Sequence, residues 1–234
     1  MYHSITIGNK NTWDDWHLIP ATRPLFNPPA VKTNMVNVPG GDGKIDLTNV
    51  LAGRPTYDNR VGSWTFYVEN GFKDWSVLYS EIMVYLHGQE LKAILEDDPA
   101  YFYVGRFSVN QWKSDQNWSQ IVIDYDVGPY KKEVMNTGSD WLWDPFNFET
   151  GVIRNYKNLS VLTSLTVTIV GDMMDSIPVI ICSASGMSVD YEGETYSLSK
   201  GANTINDIVL HTGENILVFH GQGTVTIENT GGRL

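Results

Sequence analysis

Strict alternation of apolar and polar side chains recurs along this chain and constrains its fold more than any other feature. Trp64, Phe66 and Val68 fall on one side of their segment, with Thr65, Tyr67 and Glu69 on the other. Ile121, Ile123, Tyr125 and Val127 repeat the pattern against Asp124 and Asp126. Tyr103, Phe107 and Val109 form a third stripe, and Gly105-Arg106 within it marks a bulge or a close approach of another backbone. A period of two means half-buried strands. Lys113 to Asn117 is polar turn material and predicts a hairpin between the last two stripes.

The second half reads the same way. Leu165, Val167 and Ile169 alternate with threonines, and Val179 to Ala184 is a continuous apolar run suited to a central strand. Met187, Val189 and Tyr191 alternate until Glu192-Gly193-Glu194 turns the chain. Asn215 to His220 and Thr224 to Glu228 predict a hairpin across Gly221-Gln222-Gly223. Short strands at this spacing suggest an antiparallel sandwich.

One segment breaks the rule. Trp75, Leu78, Tyr79, Ile82 and Leu86 recur at helical spacing between Asp74, a good N-cap, and Gly88, a good stop. Val77, Met83, Val84 and Tyr85 make the opposite side apolar too, so this helix needs cover on both sides. Another subunit is the expected second cover.

A seam divides the chain. Residues 1–132 carry 12 basic and 15 acidic side chains, while residues 133–234 carry 4 and 12. Between them Glu133 to Thr150 holds Gly138, Pro145, Trp141, Trp143, Phe146 and Phe148 without periodicity, which reads as a connection. The expected organisation is a first domain over 1–132, a connecting segment over 133–150 and a second domain over 151–234.

The net charge of −11 argues against a nucleic-acid binder and supplies no polybasic segment for an anionic membrane. No apolar run approaches the roughly 20 residues that span a bilayer. Met1 to Lys10 is too polar for a secretory signal, so the chain is expected to stay in the cytoplasm where it is made. Cys182 stands alone in an apolar run, which excludes disulfide scaffolds and thiolate zinc clusters and makes it a buried small hydrophobe.

Catalytic constellations are missing too. Glu96-Asp97-Asp98 precedes a proline and reads as a turn, and Asp124 with Asp126 reads as a solvated strand face. His3, His17, His87, His211 and His220 show no metal-ligand spacing, and His87 is placed to help cap the helix end. No catalytic residue, metal ligand or cofactor site is expected, and the chain reads as a non-enzyme.

Asn11-Thr12-Trp13-Asp14-Asp15-Trp16-His17-Leu18-Ile19-Pro20 opens a series of short motifs. Arg23-Pro24, Pro28-Pro29, Val38-Pro39-Gly40 and Asp46-Leu47-Thr48 follow, then Tyr57 through Trp64 and Leu86-His87-Gly88. Asp97-Asp98-Pro99, Tyr103 to Arg106, Pro129-Tyr130-Lys131, Gly221 to Ile227 and Gly231-Gly232 complete it. Together they resemble the distal tail (Dit) proteins of long-tailed phages and prophages of Gram-positive bacteria. The resemblance covers nearly all of the first half and the last strands; residues 133–215 match only in β character.

That resemblance implies a mainly β fold with one helix. Its first domain is a β-barrel or sandwich forming the belt of a hexameric ring, and its second is a galectin-like antiparallel β-sandwich around the outside. It implies a structural role in the virion, at the tip of a tail assembled in the host cytoplasm. The implied partners are other copies of this chain, the tail tube protein, the tail-associated hub protein and a receptor-binding protein. Family members carrying inserted carbohydrate-binding modules are longer than this chain. Subunit contacts are expected from the Trp13–Arg23 loop, the Val38–Leu51 segment and the helix, with Trp13, Trp16, Arg23, Val38, Leu47, Tyr79, Met83 and Leu86 as the candidate interface residues. Lys32, Lys44, Arg54 and Arg60 are candidates for the channel wall. The competing readings are a module recognising host cell-wall glycan, which needs aromatics on one sandwich face, and a cryptic glycosidase, which needs two carboxylates in a cleft.

Overall fold

The computed structural model describes residues 3–69, 74–114, 118–134 and 156–234. These residues form nineteen strands and one helix and divide into two compact units. The first comprises Met1–Asp98, Phe102–Pro129 and Leu234; the second comprises Pro99–Tyr101 and Tyr130–Arg233. The aromatics Trp141, Trp143, Phe146 and Phe148 lie outside the described residues.

In chain order the first unit contains β1 (Ile5–Ile7), β2 (Lys10–Asn11), β3 (Leu18–Pro20), β4 (Met35–Asn37), β5 (Lys44–Asp46), β6 (Arg60–Val68), α1 (Trp75–Leu86), β7 (Gln89–Leu95), β8 (Tyr101–Ser114) and β9 (Ser119–Val127). Seven of the strands make a curled antiparallel sheet in the order β2-β1-β7-β8-β9-β6-β3. The three alternating stripes supply one buried face: Trp64 and Phe66 from β6, Tyr103, Phe107 and Val109 from β8, Ile121 to Val127 from β9. Leu78, Ile82 and Leu86 of α1 join the same core. The i, i+4 and i+8 spacing of those three puts them on one helix face, and that face alone is buried.

The irregularities in β8 are informative. A Cβ on Gly105 would stand 2.1 Å from the carbonyl oxygen of Asp126 on β9, so the glycine marks a close approach of backbone. The register break falls further along, between Val109 and Gln111. There the Val109 N–H donates to His87 Nδ1 at 3.2 Å. His87 therefore serves the sheet beside the break, where the sequence suggested a cap for the helix carbonyls. Asp74 occupies the N-cap position of α1 without a side-chain capping bond.

The second unit adds β10 (Lys131–Glu133), β11 (Leu159–Val161), β12 (Ser164–Gly171), β13 (Val179–Cys182), β14 (Met187–Tyr191), β15 (Glu194–Leu198), β16 (Gly201–Thr204), β17 (Gly213–His220), β18 (Gly223–Glu228) and β19 (Gly232–Arg233). Two four-stranded antiparallel sheets, β11-β18-β13-β16 and β12-β17-β14-β15, enclose a core containing Ile169, Ile180, Val189, Leu217, Phe219, Val225 and Ile227. Cys182 is buried among them, and that burial pushes its thiol pKa up.

One expectation is corrected here. β17 and β18 do not form a hairpin; β17 pairs with β12 and β14, and β18 with β11 and β13. The Gly221-Gln222-Gly223 segment carries the chain from one sheet to the other. It passes so close to β14 that a Cβ on Gly221 would meet Met187 Cα at 3.2 Å, with φ at +117°. Alternation looks identical in the two arrangements, because both strands still turn one face to the common core.

Polar clamps hold the second unit. Asn215 is only 6% exposed. Its side-chain oxygen accepts from the His211 N–H at 2.9 Å, and its amide nitrogen donates to the carbonyls of His211 (2.7 Å) and Gly213 (3.0 Å). Arg233 of β19 meets Asp172 at 3.1 Å and Glu133 at 3.8 Å, while β19 itself pairs with β10.

Candidate assembly surface

The Trp13–Arg23 loop is built from short-range bonds. Asp15 accepts from Lys10 Nζ and from the Asn11 N–H, both at 2.7 Å, and these bonds hold its carboxyl below the ordinary value. His17 pairs with Glu69 at 2.6 Å, and the Trp13 ring lies 5.0 Å from the His17 ring. Trp13 is half-buried. Trp16 is fully buried, edge-on to Tyr85 at 5.6 Å. Arg23 is exposed and donates through Nε to Asp97 at 2.8 Å, where His3 also binds at 3.0 Å. Burial pushes the Asp97 carboxyl up, but the bonds and charges of Arg23 and His3 outweigh it and leave its pKa below the ordinary value. The acidic run that reads as a turn is thus also the anchor of the first strand, since Glu96 accepts from the Ser4 N–H at 2.6 Å.

The Val38–Leu51 segment belongs to an arm. β4 and β5 form a two-stranded ribbon of their own, with Val36 opposite Ile45 and Asn37 opposite Lys44. Every residue of both strands is exposed. The root is bonded: Val31 bridges to Tyr57, the Lys32 N–H donates to Thr56 and the Asp58 N–H to Ala30, each at 2.9 Å. Beyond that root, Met35, Val36, Val38, Ile45, Val50 and Leu51 present apolar surface to solvent, Leu51 at 96% exposure. Leu47 is half-buried, its N–H donating to Asn34. Six-residue ribbons of this kind have marginal stability by themselves in water, and a cluster of exposed apolar side chains marks a contact surface.

The helix offers a third surface. Leu86 is fully buried in the core of its own chain, as is Trp16, so a neighbour would meet the surfaces these two support rather than their side chains. Tyr79 and Met83 are half-buried on its flanks. Tyr79 lies 4.8 Å from the half-exposed ring of Trp112. Val77 and Val84, seven residues apart and opposite the buried face, are 56% and 86% exposed. The expected second cover of the helix is absent within the described residues of this chain.

Arg60 departs from its assignment as a channel-wall candidate. It is buried, donating to the carbonyls of Pro129 (2.8 Å) and Asn27 (3.0 Å), with its guanidinium over the Tyr103 ring. Lys32 and Lys44 are exposed, and Arg54 is half-buried. Among the described residues, no group of three or more His, Cys, Asp or Glu could hold a metal ion, and no helix is long and apolar enough to cross a membrane. On the sandwich, Tyr191 and Phe219 are buried in the core and Tyr156 and Tyr196 are half-buried, so these four do not line up as an open aromatic platform.

The chain thus combines a curled sheet carrying one helix and an arm with a second unit of two packed four-stranded sheets, and a solved structure shares this fold. The SPP1 Dit protein, described as a paradigm of the hub adsorption apparatus in phages that infect Gram-positive bacteria, matches over 100% of both chains with a TM-score of 0.63. Only 14% of residues are identical, so what the two share is the fold. No protein-family model matches the chain, and no curated protein does.

Proposed function

We propose that this chain is a structural, non-enzymatic component of a phage tail tip. In this reading six copies form a ring that joins the tail tube protein to the tail-associated hub protein and gives a receptor-binding protein its anchor. Residues 1–132 form the belt of the ring, 133–150 connect, and 151–234 form a galectin-like sandwich on the outside. The chain acts in the virion after assembly in the host cytoplasm.

The observation that carries this reading is the end-to-end structural likeness to SPP1 Dit, in which both units take part. The unpacked arm and the bare side of α1 support it, because a ring of identical chains needs two different sticky patches on every subunit. Subunit contacts are assigned to the Trp13–Arg23 loop, to the arm through Val38 and Leu47, and to α1 through Tyr79 and Met83.

Light scattering on a sizing column, with negative-stain images of the peak, tests the proposal. A mass near six times 26.3 kDa with annular particles is expected, either alone or after adding the tube and hub proteins. A monomer that persists with both partners present refutes it.

A further inference from the structure

We propose that the open edge of β12 takes an added strand from a partner protein: an extended segment, apolar at alternate positions, with a lysine or arginine at one end. The inference concerns the sandwich alone and stands apart from the ring reading.

Parity decides which backbone groups β12 offers. The strand pairs on one side, with β17, in unbroken register from Ser164 opposite His220 to Gly171 opposite Gly213. Just before it, the Thr163 carbonyl accepts from the Gly221 N–H at 3.1 Å. Residues alternate between the two sides of an antiparallel strand, so Leu165, Val167 and Ile169 share the β17 side with Thr163. Ser164, Thr166, Thr168 and Val170 therefore aim their N–H and C=O groups away from the sheet, and all four residues are exposed. The Tyr156 hydroxyl donates to the Thr168 carbonyl at 3.1 Å and takes none of the outward N–H groups.

Free edges are normally defended by brevity, charge, proline or a bulge. The other sandwich and sheet edges follow that rule among the described strands. β2 has two residues, β3 has three and ends on Pro20, β11 has three, and β15 has five and opens on Glu194. β16 has four, and its Asn203 amide folds back onto the Ser199 and Gly201 carbonyls. β12 runs for eight residues, Ser-Leu-Thr-Val-Thr-Ile-Val-Gly, without charge, proline or bulge. A long undefended edge accepts an extended peptide through main-chain bonds.

The surroundings set the partner's side chains. On the core side of this edge Tyr156, Leu159 and Leu165 are half-buried, and Leu162 at the turn into β12 is 76% exposed. An added strand turns every second side chain to that flank, and apolar ones complete it. The remaining side chains join the outer face beside Thr166 and Thr168, where threonine pairs well across strands. On that face Glu214 stands opposite Val170, and the outer rows otherwise hold the Asp190–His220 pair and no lysine or arginine. Residues 133–234 carry 4 basic against 12 acidic side chains. Charge complementarity thus calls for a cation at the Val170 end. The β12 of a second copy meets the backbone requirement but lacks that cation.

Residue-resolved hydrogen exchange on the full chain tests the proposal. In the free chain the amides of Thr166, Thr168 and Val170 are expected to exchange about a hundredfold faster than those of Leu165, Val167 and Ile169; equal protection overturns the open edge. The probe is a synthetic octapeptide of alternating valine and threonine with a lysine at each end. At millimolar concentration it is expected to slow the three fast amides about tenfold or more. The same peptide with proline for threonine has no N–H on its pairing side and is expected to leave them fast. No slowing by the first peptide, or equal slowing by both, overturns the proposal. Slowing that grows with the chain's own concentration, without peptide, assigns the edge to a second copy and overturns it as well. Glu214→Lys is expected to weaken the peptide about threefold, with recovery when glutamates replace its lysines; unchanged affinity overturns the cationic end.

Discussion

Replacing Asn215 by alanine isolates the main polar clamp of the sandwich. The side chain closes a ring with the backbone of the β17 approach: its oxygen accepts the His211 N–H, and its two amide hydrogens serve carbonyls of His211 and Gly213. The Tyr191 hydroxyl adds a longer bond at 3.3 Å. Alanine deletes the two shortest bonds and leaves the His211 N–H and carbonyl, in a part-buried site, without their side-chain partner. At about 1–2 kcal/mol for each orphaned group, the expected loss is about 3 kcal/mol. Asn215→Asp discriminates further, since it keeps the acceptor but turns a charged oxygen towards carbonyls; it is expected to cost at least as much as alanine. The chain carries its own reporter: Cys182 lies in the sandwich core, so thiol labelling in urea follows the second unit. With a slope of about 1.5 kcal/mol/M, the labelling midpoint is expected to fall by about 2 M. A labelling shift below about 0.3 M, or an Asn215→Asp variant as stable as the parent, refutes the assignment of the clamp.

The remaining predictions use the same logic at other sites. Gly105→Ala sets a Cβ 2.1 Å from a backbone oxygen with no flexible side chain to yield, so the β8–β9 pairing must open; a thermal melt is expected to fall by more than 10 °C, and a fall under 3 °C refutes the close approach. Asp97 has a lowered pKa in the folded chain, so its contribution is fully present above the unfolded value near ~3.9 and is lost as pH falls through the lower folded value. Asp97→Asn is therefore expected to be less stable than the parent at pH 6, with the difference shrinking towards pH 3; a constant difference across that range refutes the linkage. Arg233→Met keeps the aliphatic stem but removes the guanidinium that Asp172 and Glu133 both meet. A loss of about 1–3 kcal/mol in the thiol-labelling assay is expected for that half-buried network, and no change refutes it.

Much of this architecture was legible in the sequence because burial has a period. The stripes of β6, β8 and β9 and the helix face of Leu78, Ile82 and Leu86 each declare which side meets a core, and the continuous apolar run from Val179 declares a central strand. What alternation does not declare is the partner strand. β17 and β18 show the same pattern whether they pair side by side or face each other across a sandwich, and Gly-Gln-Gly suits a crossing as well as a turn. Side chains whose roles depend on distant backbone were hidden for the same reason. Arg60 reads as a charge in a loop until Pro129 and Asn27 bring their carbonyls to it. His87 reads as a helix cap until the break at Val109 exposes an N–H beside it. The arm was half legible: its segment stood out as a contact candidate, but the ribbon and its bonded root depend on Thr56 and Asp58, more than twenty residues away from their partners.

The distribution of exposed apolar residues links fold to assembly. A chain that needed only to fold would gain by covering Leu51 and Val84, since each fully buried side chain of this size contributes about 1.5–3 kcal/mol. Here the two sit on separate elements, and each is left open by an otherwise well-packed unit: the arm is rooted by three main-chain contacts, and α1 is pinned by three core residues. Rigid roots beneath open apolar surfaces reduce the ordering cost of association, so that more of the burial energy remains for holding copies together. The same arrangement restricts geometry. In the proposed ring an arm rooted before β6 and the exposed face of α1 would each meet a neighbour in a fixed orientation, and repetition of one rotation closes a ring or builds a helix according to its angle. In the proposed ring the burden of assembly thus falls on elements that the cores do not use, leaving the sandwich to be stabilised internally by Asn215 and the Arg233 network.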